Sequence, residues 1–220
     1  MDQDKTIRCR LNQIRSPEEK SGIRKAGSAA AALAAGILLG LFSKWLDNLA
    51  LDGTVWWHRS IEALDLGNFF SDIAIWLLLA LVIAVFSCSA LHAACSVFAF
   101  FAGMCAAYHV YTVLVSGFNP GSYMMIWYGI TILSPLLAVL CWYAKGRGPI
   151  PVLIDIGTLA VFFLSCFSIG LFYLDFRGIL YGIVFLLSVL ILYRDPKQIT
   201  VSLAAGLLLA FPASRLWPYL

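Results

Sequence analysis

Apolar residues fall in seven blocks along the chain, separated by short polar stretches. The blocks lie near 26–45, 70–90, 92–115, 124–144, 150–174, 178–193 and 199–216. An α-helix needs roughly 20 apolar residues to cross a bilayer, and most of the blocks reach that length. The sixth is the shortest and Pro212 interrupts the seventh, so six spans with a re-entrant end is the alternative count. Residues 1–25 are polar, with seven Lys/Arg against four acids. Ser16-Pro-Glu-Glu has the form of a local helix start, and the rest of this stretch reads as a solvated basic tail. The expected fold is therefore all-α: a polytopic bundle of about seven transmembrane helices over residues 26–220, preceded by the tail.

Composition agrees with this pattern. Apolar residues make up 61% of the 220, charged residues only 12%, and mean hydropathy is +0.88. A soluble domain carries roughly 25% charged residues. The net charge of +3 matters less than its placement. With seven spans and the N-terminus inside, eleven Lys/Arg fall on the inner side and four (Lys44, Arg59, Arg177, Arg215) on the outer. The positive-inside rule then puts the N-terminus in the cytoplasm and the C-terminus outside.

Within the first block, Ser28 to Gly40 reads SAAAALAAGILLG. A basic region followed by an alanine-rich run imitates an export signal, but the apolar run continues to Trp45 and its small residues come first. It reads as a retained first helix. Ser28, Ala32, Gly36 and Gly40 recur every fourth position, the spacing that lets two helix backbones approach closely in lipid. That row is either a packing stripe within the bundle or a docking face for a membrane-protein partner. Gly178/Gly182 and Ser202/Gly206/Ala210 are similar rows. Kinks are expected at Pro135 and Pro212.

The longest connection, 46–69, mixes apolar and charged residues. It reads as one or two short amphipathic turns on the outer interface, with Trp56 and Trp57 at headgroup depth. A lid over an outward-facing cavity is the functional alternative.

Ionisable groups at lipid depth are functional candidates because their burial is costly. Asp155 lies about six residues into the fifth block, His109 near the outer end of the third, and Asp72 at the start of the second, where it also suits a helix cap. Asp175 and Arg177 share an outer turn and are expected to pair. Of the six cysteines, five lie in or at the ends of apolar blocks, and no disulfide framework is expected. Cys88, His92 and Cys95, and separately Cys105 and His109, have spacings that share a helix face, but they lie too far apart for one metal site. No metal, cofactor or nucleic-acid partner is expected. The motifs of metalloproteases, serine hydrolases and phosphate loops do not occur, which disfavours catalysis.

The run GFNPGSYMMIWYGITILSPLLAVLCWYAKGRG, with GILLGLFSKWLDNL and YRDPKQ, resembles an uncharacterised family of small multi-spanning membrane proteins from Gram-positive-type bacteria. That resemblance implies a bacterial cytoplasmic-membrane protein and supplies no catalytic or ligand residues. A weaker likeness is to the substrate-binding membrane components of energy-coupling-factor vitamin transporters. In those proteins a first helix with small residues spaced by four docks on a coupling protein, and an outer loop covers the substrate.

Three functions follow as expectations. The first is transport-related binding of a small solute in an outward-facing pocket walled by Trp56, Trp57, Tyr108, Tyr111, Tyr123 and Trp127. The second is a non-catalytic assembly partner acting through the first helix and the tail. The third is a small lipid-modifying enzyme.

Overall fold

The computed structural model describes residue 9, residues 11–50 and residues 55–216. Helix α1 spans Gly22–Asp47, followed by short α2 (Trp56–Ala63) and α3 (Leu66–Ser71). Then come α4 (Ile73–Val85), α5 (Ala90–Leu114), α6 (Gly121–Tyr143) and α7 (Pro149–Cys166). A two-stranded hairpin, β1 (Phe167–Ile169) and β2 (Leu174–Phe176), leads into α8 (Ile179–Leu192) and α9 (Pro196–Leu216). Five helices, α1, α5, α6, α7 and α9, are long and apolar enough to cross a membrane. The other two apolar helices, α4 and α8, have 13 and 14 residues. At 1.5 Å per residue each is about 20 Å long, two thirds of a hydrocarbon core of roughly 30 Å.

Two of the expected blocks are thus reshaped. The second, 70–90, holds a helix only from Ile73 to Val85. Asp72 starts it, its Oδ1 accepting the Ile73 N–H at 2.6 Å, and the Phe86–Ser89 turn ends it. Ser89 then caps α5 by accepting the His92 N–H at 3.2 Å. The fifth block, expected to run to 174, stops being helical at Cys166. The chain turns extended there and pairs Phe167 with Phe176, Ser168 with Asp175 and Ile169 with Leu174. Gly170 makes the return possible, because the Tyr173 ring occupies the space where a side chain would project. The rings of Phe167 and Phe176, 4.2 Å apart, close the hairpin over Phe163 and Phe185.

The tail also departs from expectation. Residues 15–20 are not helical, and the helix begins instead at Gly22 behind Ser21. Residues 14–18 are knit to the bundle: Glu18 N donates to the Cys88 carbonyl and Arg147 N to that of Ile14, both at 2.8 Å. The Arg15 guanidinium donates to the carbonyls of Trp142 and Val85 and lies 4.5 Å from the centre of the Trp142 ring. Burial lowers the pKa of Arg15, with Glu18 acting in the opposite direction.

Packing divides the helices into two groups. Trp76, Phe100, Phe101, Met104, Trp127 and Trp142 centre one core among α1, α4, α5 and α6. Leu81, Leu159, Phe162, Phe163, Val184 and Leu192 centre the other among α4, α7, α8 and the hairpin, with α9 against α7. Helix α4 serves both, turning Ala74, Leu78, Leu81 and Val85 to one core and Trp76 and Ala84 to the other. A helix apolar on all sides fits that central place. Helix α6 instead exposes Met125, Ile126, Ile132, Leu133 and Leu136 on its outer side. An apolar surface of that extent on a helical bundle is what lipid covers.

The closest helix pair is α1 against α5. Ala32, Gly36 and Gly40 are buried there, and a Cβ on Gly40 would stand 2.6 Å from the Met104 carbonyl oxygen. One on Gly36 would collide with the Phe100 carbonyl, and one on Gly103 would meet the Leu33 carbonyl at 2.6 Å. Ser28, at the end of the row, faces His92 of α5 with 2.8 Å between Oγ and Nε2. The row therefore packs inside the bundle, and a partner docking on it would have to displace α5. Gly206 of α9 makes a similar, looser approach to Leu159 and Ala160 of α7. In α6, Pro135 cannot donate to the Thr131 carbonyl, and the Ser134 hydroxyl does so at 2.8 Å instead.

Gly40→Leu should destabilise the folded protein by about 3 kcal/mol or more, since the obstacle is backbone rather than a movable side chain. Gly27, whose Cβ position is open, is the control: Gly27→Ala should be neutral or stabilising by up to about 1 kcal/mol. Thermal melting of the detergent-solubilised variants reads both, and equal melting of the two would refute the close-contact assignment.

Candidate functional site

The sequence-selected polar residues do not form one site. They separate to opposite ends of the bundle, one end carrying the tail (the tail face) and the other carrying the β-hairpin (the hairpin face).

On the tail face, Asp155 is fully buried in α7. Its Oδ2 accepts from an Arg194 guanidinium nitrogen and, at 2.7 Å, from Gln198 Nε2. Arg194 also donates to the Gly146 carbonyl at 2.7 Å, and Gln198 returns its Oε1 to the Arg194 backbone N–H at 3.2 Å. Local chemistry sets this geometry: Asp195 accepts the Gln198 N–H at 2.9 Å, starting α9 so that Gln198 faces α7. Lys145 donates to the Tyr193 carbonyl at 2.8 Å across the same end. Burial lowers the Lys145 pKa; Asp155 raises it, and Arg194 and Arg15 lower it further. The cluster joins the α6–α7 link, α7 and α9. Its geometry is that of a buried ion pair held through one carboxylate oxygen, with Asp155 Oδ1 and Arg194 Nε buried and without a hydrogen-bond partner among the described residues.

On the hairpin face the centre is Asp47, the last residue of α1. Its Oδ2 accepts from the Tyr108 hydroxyl at 2.9 Å and its Oδ1 from the Ser71 hydroxyl at 3.0 Å. Lys44, buried one turn earlier, reaches Oδ2 at 3.6 Å. Its ammonium lies 5.1 Å from the centre of the Tyr108 ring and 5.6 Å from that of Phe118. A lysine can be buried here because a carboxylate and two aromatic rings replace its water. Above this cluster is a cavity of about 560 Å³, lined by Asp47, Ser71, Tyr108, Tyr123 and the turn from Phe118 to Ser122. Tyr123 donates to the Ser71 carbonyl at 3.3 Å, and the Tyr108 and Tyr123 ring centres are 5.9 Å apart.

Of the six aromatic residues expected to wall a pocket, Tyr108 and Tyr123 do so. Trp127 is buried behind them, 6.4 Å from Tyr123 and 6.1 Å from Trp76 between ring centres. Trp56 is exposed in α2 and Trp57 packs on the His58 ring, neither lining this cavity; Tyr111 is half-buried elsewhere on α5. The amphipathic turns expected over 46–69 are α2 and α3, with residues 51–54 outside the described set.

Asp72 stands beside the site without lining it. While its Oδ1 starts α4, its Oδ2 accepts from Arg177 and from the Tyr181 hydroxyl, each at 3.1 Å. Arg177, expected to pair with its turn neighbour Asp175, pairs with Asp72, while Asp175 Oδ1 accepts the Phe176 N–H. His109 joins none of these residues. Its Nδ1 lies 2.8 Å from the Tyr128 hydroxyl, between α5 and α6. Among the described residues, no group of three His, Cys, Asp or Glu is arranged to hold a metal ion, and all six cysteines are free.

Sequence reasoning passed over Lys44, Asp47, Arg194 and Gln198 because each falls at a block edge, where a charge is expected to reach water. The available signal was spacing. Lys44 and Asp47 stand at i, i+3 with apolar neighbours, and Asp195 to Gln198 is a helix start.

No protein-family model matches this chain, and no curated protein or solved structure matches it.

The two partners in the tail-face pair should be coupled. Asp155→Asn or Arg194→Met alone should destabilise the protein by about 3 kcal/mol, because each leaves a buried group uncompensated. The double variant should lose less than the sum, by at least about 1 kcal/mol in a double-mutant cycle. Strict additivity in denaturation midpoints would remove the pair from any structural role.

Proposed function

We propose that this protein lies in a bacterial cytoplasmic membrane, with the tail face in the cytoplasm, and binds a small polar solute from outside as part of a transport process. The observation that carries the reading is the hairpin-face cavity itself. It is large enough for a small metabolite, is walled by two tyrosines, and rests on the Asp47 cluster. Sites of this kind take up flat or ring-bearing solutes on the aromatic faces and orient them through a few fixed polar groups.

The charge of the floor narrows the solute class. Lys44 offsets Asp47, and Tyr108 and Ser71 already donate to the carboxylate. A fully ionic ligand gains little from such a neutral cluster. A neutral solute bearing hydroxyl or amide groups can bond to the phenolic oxygens and to Asn119 and Ser122, both of which line the cavity. The orientation rests on the eleven-to-four distribution of basic residues between the two faces. The amphipathic α2 and α3 belong to the same face as Asp47 and Ser71, where a solute would enter.

The test is thermal melting of purified protein against a panel of vitamins, amino acids and lipid headgroups. A solute at 100 times its Kd stabilises by about 2.7 kcal/mol, which raises Tm by several degrees. Tyr123→Ala should weaken binding of the active compound about tenfold, the worth of one aromatic face, while the unliganded protein melts nearly as before. No shift across the panel, or an unchanged affinity in Tyr123→Ala, would overturn the proposal.

A further inference from the structure

We propose that the tail face carries a binding site for one anionic phospholipid, in a groove between α1, α4 and α5. It is independent of the solute site at the opposite face. The groove has a volume of about 610 Å³ and changes character along its length. Lys20, Arg24 and Lys25 stand at its mouth, with Ser28 and His92 just inside. Below them the walls are apolar, formed by Ala35 and Leu39 of α1, Leu79 and Ile83 of α4, and Phe100 of α5.

This gradient matches the two halves of a phospholipid. From Lys25 to Leu39 is 14 residues of one helix, or about 21 Å. A single leaflet contributes about 15 Å of hydrocarbon, so a headgroup at the mouth leaves its acyl chain within reach of the whole wall. Ala35, Leu39, Leu79, Val82 and Ile83 are only half-buried, so the groove is open sideways to lipid and admits a chain from the bilayer. A free phosphate or a polar solute would leave those walls uncovered.

The mouth selects charge. Lys20 pairs with Glu18 at 3.2 Å, but among the described residues neither Arg24 nor Lys25 has a carboxylate partner. Both lie near the start of α1, whose first turn holds no acidic residue, so two cations add to the positive end of the helix dipole. A phosphodiester relieves that repulsion and accepts from both side chains. Ser28 and His92 complete a hydrogen-bonding rim, with His92 Nδ1 buried and unpartnered.

Detergent-purified protein titrated with phosphatidylglycerol, phosphatidylcholine and inorganic phosphate, followed by native mass spectrometry and melting, tests the assignment. Phosphatidylglycerol should form a one-to-one adduct and raise Tm, with affinity at least tenfold above that of phosphatidylcholine. Arg24→Gln/Lys25→Gln should weaken it about thirtyfold, two cations at about 1 kcal/mol each. Lys197→Gln, exposed on α9 at the same face, should leave it unchanged. Ala35→Trp should block the acyl channel while keeping the cations; if that variant does not fold, the Gln pair decides alone. Equal affinity for the two lipids, an unaffected Gln pair, or equal stabilisation by inorganic phosphate would each overturn the proposal.

Discussion

The contact on which the rest depends is the backbone-to-backbone approach of α1 and α5. In lipid there is no hydrophobic drive to bring two apolar helices together, so association depends on close packing. Gly36 and Gly40 on one helix and Gly103 on the other provide it reciprocally, each leaving room for a carbonyl of its partner. Once α1 is set at that distance, its ends are set too. One end delivers Lys44 and Asp47 to Tyr108, the other brings Lys25 and Ser28 to His92. A cavity at one face and a groove at the other are both products of one helix pair.

Polar groups then fasten the ends where glycine packing stops. Asp155 with Arg194 and Gln198 closes α7 on α9, while Asp72 with Arg177 and Tyr181 closes α4 on α8 and the hairpin. Arg15 performs the same task from the tail, bonding to carbonyls at the ends of α4 and α6. These groups sit near the bundle's ends, where the charge of each is matched by an acid, a carbonyl or an aromatic ring. Such matching lowers the penalty for removing a charge from water, and it makes each partner costly to lose alone.

Much of this was legible in the sequence. The seven apolar blocks all hold helices, and the row from Ala32 to Gly40 could be read as a packing stripe from spacing alone. The blocks did not reveal where helices end, because hydropathy does not register backbone conformation. Phe167 to Phe176 is as apolar as the helix before it, yet Gly170 and the Tyr173 ring turn it back as a hairpin. The site was legible only in part. Tyr108 and Tyr123 could be listed among the aromatics, but their convergence on Asp47 requires that α1 run on past Trp45. The Asp155 partner lies 39 residues away in a segment that reads as a water-exposed turn.

The short helix α8 has a mechanical consequence for the surrounding bilayer. Its outward residues, among them Ile183, Leu186 and Leu190, present an exposed apolar face along about 21 Å of helix. The hairpin before it carries Leu171, Phe172 and Tyr173 exposed at its tip, extending the greasy belt toward the headgroups without lengthening the helix. Helix α8 is nonetheless shorter than α6, with 14 residues against 23, so the two flanks of the bundle present apolar helix faces of unequal length. A bilayer lying against this flank would have to compress or tilt its lipids to match α8, which would favour shorter chains there and a thinner host membrane.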